Sequence, residues 1–320
     1  MDAAQSRTRR RTRPAAFALL VVTVLWGFTF VWMKQGIEAA NAHLGGAGAV
    51  AGVGLFMTLR FGLAAAVLWA WPAVRRGMML DARAAWWGGF PIGVLLLAGF
   101  LLQMFGLRGV SAPVSAFLTS LYVVFTALLV ARRPGHRVGI SLGVGALLAT
   151  FGAGFIEGPP QLSFGTGEWL TVGCAFVFAL HILATERVTR RHAPMPVTFT
   201  AIAWVALGSA VTLALGMAGG GPGARALLEL ALDPDFATPL LLSSILATVL
   251  ALSLMNTWQR ELDPVRAAIL YAVEPVWATL VAIGIGQATP GPWLAIGGGS
   301  LLLGNLIAEL GPLLGDRRSG

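Results

Sequence analysis

One apolar segment is written into this chain twice. Residues 111–131, SAPVSAFLTSLYVVFTALLVA, return as residues 262–282, LDPVRAAILYAVEPVWATLVA, at a constant offset of 151. Pro113/Pro264, Val114/Val265, Ala116/Ala267, Ala127/Ala278, Leu129/Leu280, Val130/Val281 and Ala131/Ala282 are shared. Each copy is led by proline and, at about 20 residues, is long enough to cross a bilayer. A duplicated membrane half limits the fold to two related units built around a common centre, the signature of scaffolds whose repeats rock about a central site.

Composition agrees with a bilayer environment. The 320 residues are 57% apolar and 11% charged, with a mean hydropathy of +0.78. A soluble domain of this length carries roughly twice that charge. The single cysteine, Cys174, rules out an internal disulfide. Cys174 and His181 could share a helical face, but two groups do not make a metal site. A net charge of +8 would suit nucleic acid were the basic residues gathered on one face. They are dispersed over short loops instead, and no nucleic-acid partner is expected.

Apolar windows bounded by charges, Gly and Pro predict ten helices at about 16–36, 50–71, 86–107, 110–131, 138–156, 167–185, 197–218, 238–259, 264–285 and 291–310. With that count, Lys and Arg fall 18 on one side and 3 (Lys34, Arg108, Arg225) on the other, with Arg60 inside a span. By the positive-inside rule both termini are cytoplasmic. The expected location is the cytoplasmic (inner) membrane, crossed many times. The Arg run at 7–13 could instead open a cleaved signal peptide, but the apolar stretch from Ala15 to Met33 is too long for one. The longest connection, 219–237, holds an amphipathic piece from Arg225 to Leu232, with Asp233 and Asp235 in a loop and without evident partners.

Ten spans divide as five plus five. The fourth matches the ninth, and Leu142–Leu148 matches Ile296–Leu302 at offset 154. A unit with an odd number of spans ends opposite to where it began, so its duplicate is inserted upside down. The expected fold is therefore all-α and polytopic: ten transmembrane helices as two five-helix inverted repeats. An Arg-rich tail (1–15) precedes repeats at 16–156 and 167–310, and a short tail (311–320) follows.

Local motifs add a family resemblance over nearly the whole chain. Leu25-Trp26-Gly27-Phe28-Thr29-Phe30 through Lys34, then Leu59-Arg60-Phe61, resemble the first two spans of EamA-type members of the drug/metabolite transporter superfamily. Gln103 with Gly106-Leu107, Ser111-Ala112 and Ala116-Phe117-Leu118-Thr119 is similar to that family's third-to-fourth junction, and Ala267-Ala268-Ile269-Leu270 with Glu274-Pro275-Val276 to its ninth span. The resemblance implies a secondary transporter without a bound cofactor, commonly an exporter of metabolites or amino acids. The acidic Gly-Glu that members usually carry after spans four and nine is replaced by Ala131-Arg132-Arg133 and Gly286-Gln287.

Polar groups inside the spans are the candidate site. A central Arg60 costs about 2.5–3.5 kcal/mol on insertion scales, so it must face the interior and find a partner. It would recognise a substrate anion, form a gate, or tie helix ends together. Glu274 is followed by Pro275, which cannot donate to the Tyr271 carbonyl. The freed acceptor, the Glu274 carboxylate and the Tyr271 hydroxyl lie within one turn, and irregular backbone at this depth belongs against a cavity or packed protein. Glu274 would line the central site and carry a proton, or fasten helices through Arg60. Ser115, Thr119, Tyr122 and Thr126 recur as one hydroxyl stripe, and Trp26, Phe30 and Met33 share a face of the first span. Gln103 and Asn305 stand between path lining and interhelical glue. The candidate substrate-binding residues are thus Trp26, Arg60, Gln103, Thr119, Tyr122, Tyr271 and Glu274. Expected partners are a small-molecule substrate, the lipid bilayer and protons as the candidate coupling ion.

Other classes fit less well. A membrane-embedded transferase-type enzyme, the alternative reading, needs clustered acids or His–acid pairs and a catalytic surface outside the bilayer. A channel wants rings of charge or a carbonyl filter, and an ATP-driven pump wants a phosphate-binding loop. None of these is present in the sequence.

Overall fold

The computed structural model describes residues 2–132, 140–154, 164–218, 221–262, 267, 270, 271 and 273–315. Among them there is helix and turn but no strand. Backbone groups in hydrocarbon must be satisfied within the segment, which an α-helix achieves.

Helix α1 (Asp2–Leu44) takes in the Arg-rich segment expected as a separate tail and continues past the expected end of the first span. α2 (Ala49–Trp69) follows, then α3 (Pro72–Gly106), whose first turns are set off by a non-helical Asp81. α4 (Ala112–Thr119), α5 (Tyr122–Ala131) and α6 (Ile140–Gly154) complete the first half. The second half contains α7 (Thr166–Thr189), α8 (Pro194–Met217), α9 (Ala224–Leu232) and α10 (Pro234–Leu242). A π-helical stretch (Ser243–Leu250) joins α10 to α11 (Ala251–Trp258), followed by α12 (Glu274–Gly284) and α13 (Pro292–Gly315).

Seven stretches among the described residues are long and apolar enough to cross a membrane; Glu274–Gly284 and Pro292–Ile307 are apolar but shorter. The chain is a multi-pass membrane protein. The segments expected at 138–156 and 264–285 lie partly outside the described residues, and α6 within the former has 15 residues. The amphipathic piece at 225–232 is helical and buries Leu227 and Leu230. Asp233 is not partnerless. It faces His43 at 3.0 Å, and its carboxylate accepts from the Asp235 backbone N–H at 2.7 Å to cap α10.

Helices pack in a few close crossings. α2 lies along α8, α6 along α13, and α3 across both α7 and α8, while α1 meets α12 and the α10–α11 rod. Small residues allow these approaches: a Cβ on Gly152 or Gly304 would run into the backbone of α13 or α6. One continuous apolar core, including Phe30, Phe61, Phe100, Phe117 and Met255, runs through the middle of the bundle.

Candidate functional site

Two spans break near their midpoints, at matching places. Ser111 caps α4 by accepting from the Val114 N–H, and Pro113 fits the first turn, where its missing donor costs nothing. The helix stops at Thr119, turns through Ser120 and Leu121, and restarts at Tyr122. In the second copy Leu270 and Tyr271 are helical, and Val273 turns, its N–H donating to the Leu270 carbonyl at 3.3 Å. α12 then starts at Glu274 with Pro275 in its first turn, so the carbonyl freed by that proline coincides with a break rather than a gap inside a continuous helix. Val273 lies 151 residues after Tyr122. The two restarts meet, the Tyr122 hydroxyl donating to Glu274 Oε2 at a long 3.4 Å.

A narrow cavity of about 60 Å³ opens where they meet. Six of the seven candidate residues line it: Trp26, Gln103, Thr119, Tyr122, Tyr271 and Glu274. Phe30, Met33, Phe100, Phe178 and Met255 supply most of the remaining wall. Trp26, Phe30 and Met33 reach it together because their i, i+4, i+7 spacing puts them on one face of α1. Gly27, between them, sits where α1 crosses α12: a Cβ there would come 2.9 Å from the Ala278 nitrogen. Lys34 stays outside the cavity and caps the end of α3, donating to the carbonyls of Leu107 and Val110 at 2.8 and 3.0 Å. The Trp-Gly…Lys run of the first span thus serves wall, crossing and cap in turn.

The wall is held by hydrogen bonds behind it. The Trp26 indole donates to the Ala247 carbonyl at 3.2 Å, in the π-helical stretch, and its ring lies 5.5 Å from that of Tyr271. The Tyr271 hydroxyl donates to Gln259 Oε1 at 3.1 Å, and Gln259 Nε2 donates to the Ile182 carbonyl of α7 at 3.1 Å. These bonds fix two aromatic faces before any solute arrives.

Arg60 is placed differently from the other six. It is 1% exposed but does not line the cavity. Its Nε donates to Thr248 Oγ1 at 2.9 Å, and its guanidinium lies 4.7 Å from the centroid of Phe100, whose ring belongs to the cavity wall. It forms no ion pair with Glu274, so the fastening role suggested for that pair is not seen. A hydroxyl and an aromatic face compensate the buried charge instead.

The hydroxyl stripe also divides. The break after Thr119 lets only Thr119 and Tyr122 reach the cavity, while Ser115 and Thr126 are buried elsewhere. Asn305 acts as glue, its Nδ2 donating to the Ser120 carbonyl at 3.2 Å and to Ser120 Oγ at 3.0 Å, which satisfies the first break. One lining residue escaped the sequence reading. His181 is 4% exposed, and its Nε2 has no hydrogen-bond partner. Beside Cys174 it suggests only half of a metal site, but as an ionisable group within a span it is a candidate by default.

Among the described residues the site is an aromatic chamber with one carboxylate, one imidazole and one amide. A carboxylate without a cationic partner suits an ammonium group or a transferable proton, and the imidazole and amide can donate to an anion.

Comparison with known proteins bears on this arrangement. Residues 13–157 and, separately, residues 165–309 match the EamA-like transporter family. A protein described as an uncharacterized transporter from Archaeoglobus fulgidus is 24% identical over 299 residues, covering 92% of this chain and 86% of its own. A solved crystal structure superposes with a TM-score of 0.58 at 20% identity, over 93% of this chain and 99% of its own.

Proposed function

The chain belongs to the EamA-like transporter family, and from that premise we propose that it is a secondary transporter exporting a small metabolite, an amino acid or related solute, by alternating access. The moving parts are two inverted five-helix repeats, 16–156 and 167–310, in a ten-span frame. The packing supports this frame. If each span of the first half is exchanged with its counterpart in the second, α2 against α8, α6 against α13 and α4 against α12 map onto themselves. α1 against α12 becomes α7 against α4, and α3 against α7 becomes the α10–α11 rod against α1. The observation that carries the reading is the meeting of Tyr122 and Glu274, each first in its restarted helix, at the cavity.

The chamber suits a solute with an amine and an apolar body. Glu274 takes the amine, Trp26 and Tyr271 cover the body, and Gln103 and His181 face any carboxylate. At about 60 Å³ the cavity is well below the ~300–1,000 Å³ of small-molecule pockets, so admitting a metabolite requires the repeats to part. Glu274 doubles as the proton carrier: a carboxylate that releases its proton to accept an amine couples the two fluxes. The 18-to-3 distribution of Lys and Arg supports cytoplasmic termini.

Untargeted metabolite profiling of cells expressing the protein, Glu274→Gln or an empty vector tests the reading. A solute accumulating in the medium only with the unaltered protein is expected. Equal export by Glu274→Gln across pH would remove the proton-carrier role, and no change in any solute would remove the exporter reading. Fusions to a reporter active only in the cytoplasm should work at both ends, and failure at the C-terminus would overturn the span count.

A further inference from the structure

A second cleft lies far from the cavity in character and shares no lining residue with it. It measures about 230 Å³ and sits between the start of the α3 span and the end of α7, lined by Trp87, Gly88, Arg187, Arg191 and His192. No acid lines it. The arginines one turn apart, Arg187 and Arg191, form no ion pair among the described residues, whereas their neighbour Arg190 is engaged by Glu186 at 3.1 Å. Like charges four residues apart repel, so this pair is suited to an anion that bridges it. The His192 ring rests on Gly88, where a Cβ would come within 3.3 Å of ring Cδ2, and so closes the floor of the cleft.

The surroundings set the depth. Trp69, Trp71 and Trp87 are 49, 53 and 66% exposed at this end of the bundle, and Trp residues collect where hydrocarbon meets headgroups. One turn from Trp87 into the span, Phe90 is exposed and meets Trp204 edge-to-face with centroids 5.1 Å apart, giving an apolar track below the basic cleft. Basic pockets between membrane helices at headgroup depth suit anionic lipid phosphates.

We propose that this cleft seats the phosphate of an anionic phospholipid. Arg187 and Arg191 bind the phosphate oxygens as charged forks, His192 adds a third donor, and the acyl chains lie along Trp87 and Phe90. The site depends on the protein being multi-pass but not on the transport reading, and it survives if that reading fails.

The test is thermal unfolding of the full-length protein in neutral-detergent micelles titrated with phosphatidylglycerol, phosphatidylcholine or inorganic phosphate. Phosphatidylglycerol should raise the unfolding temperature well above the other two additives. In an Arg187→Gln/Arg191→Gln variant its half-saturating concentration should rise about tenfold or more. Gly88→Val, which crowds the cleft but keeps both charges, should weaken the effect likewise. Arg75→Gln/Arg76→Gln, equal in charge lost at the same end, should leave it intact. Equal stabilisation by phosphatidylcholine, or equal loss in the Arg75/Arg76 control, would overturn the proposal. Stabilisation by inorganic phosphate matching the lipid, with the same arginine dependence, would assign the cleft to free phosphate and overturn the lipid.

Discussion

At the first break the chain turns through Ser120, whose carbonyl and hydroxyl are both taken by Asn305, and restarts on Tyr122. At the second it turns through Val273 and restarts on Glu274 and Pro275, with the carboxylate facing the cavity. Both sit at the equivalent place in a duplicated segment, and both cost the membrane an interruption of backbone pairing. They differ in what the interruption carries. The first is tied off by a neighbouring helix and offers a neutral phenol. The second offers the cavity the one carboxylate among its described lining residues. The segment occurs twice, and the two copies differ at the restart, which is a phenol in the first and a carboxylate in the second.

Four substitutions would break or sharpen that contrast. Glu274→Gln should have the largest effect, lowering transport about 10–100-fold, the loss expected when a hydrogen bond to a charged group disappears. Folded, monodisperse protein should remain after detergent extraction. Tyr122→Phe removes a long, weak partner of the same carboxylate and should reduce transport about fivefold, measured as solute flux per molecule in proteoliposomes. Asn305→Ala should leave flux per molecule unchanged and cost about 0.6 kcal/mol of stability, read from unfolding in mixed micelles. Arg60→Met should change least. The insertion cost of about 2.5–3.5 kcal/mol that it relieves offsets the bonds it loses. Because Arg60 does not line the cavity, flux should stay near that of the unaltered protein. A collapse of transport with intact folding would bring Arg60 into the site through Phe100.

Much of this was legible in the residues. The prolines at 113 and 275 and the paired segments mark the two interrupted spans, and the spacing of Trp26, Phe30 and Met33 places them on one wall. Periodicity could not reveal that the hydroxyl stripe is cut after Thr119, because a break rotates one half of a helix against the other without changing composition. Nor could it show which buried charge faces the cavity. Arg60 and Glu274 look alike as costs in hydrocarbon, but one is absorbed by Thr248 and Phe100 and the other is not. His181 belongs to no repeat or periodic stripe, and its only signal is that of an ionisable group among apolar neighbours.

The π-helical stretch Ser243–Leu250 is gripped from two directions, by Trp26 at Ala247 and by Arg60 at Thr248, while Thr248 bonds back to Ser243 five residues earlier. Wider winding turns everything after it by on the order of 100° relative to an α-helix of the same length. That rotation aims Leu252 and Met255 at the chamber. The rod is therefore keyed to residue number as well as residue type. Removing a single amino acid between 243 and 250 would re-form a tidy α-helix and, since one α-helical residue turns about 100°, leave α11 facing the same neighbours; straightening the stretch without that deletion would swing every side chain of α11 to the wrong ones.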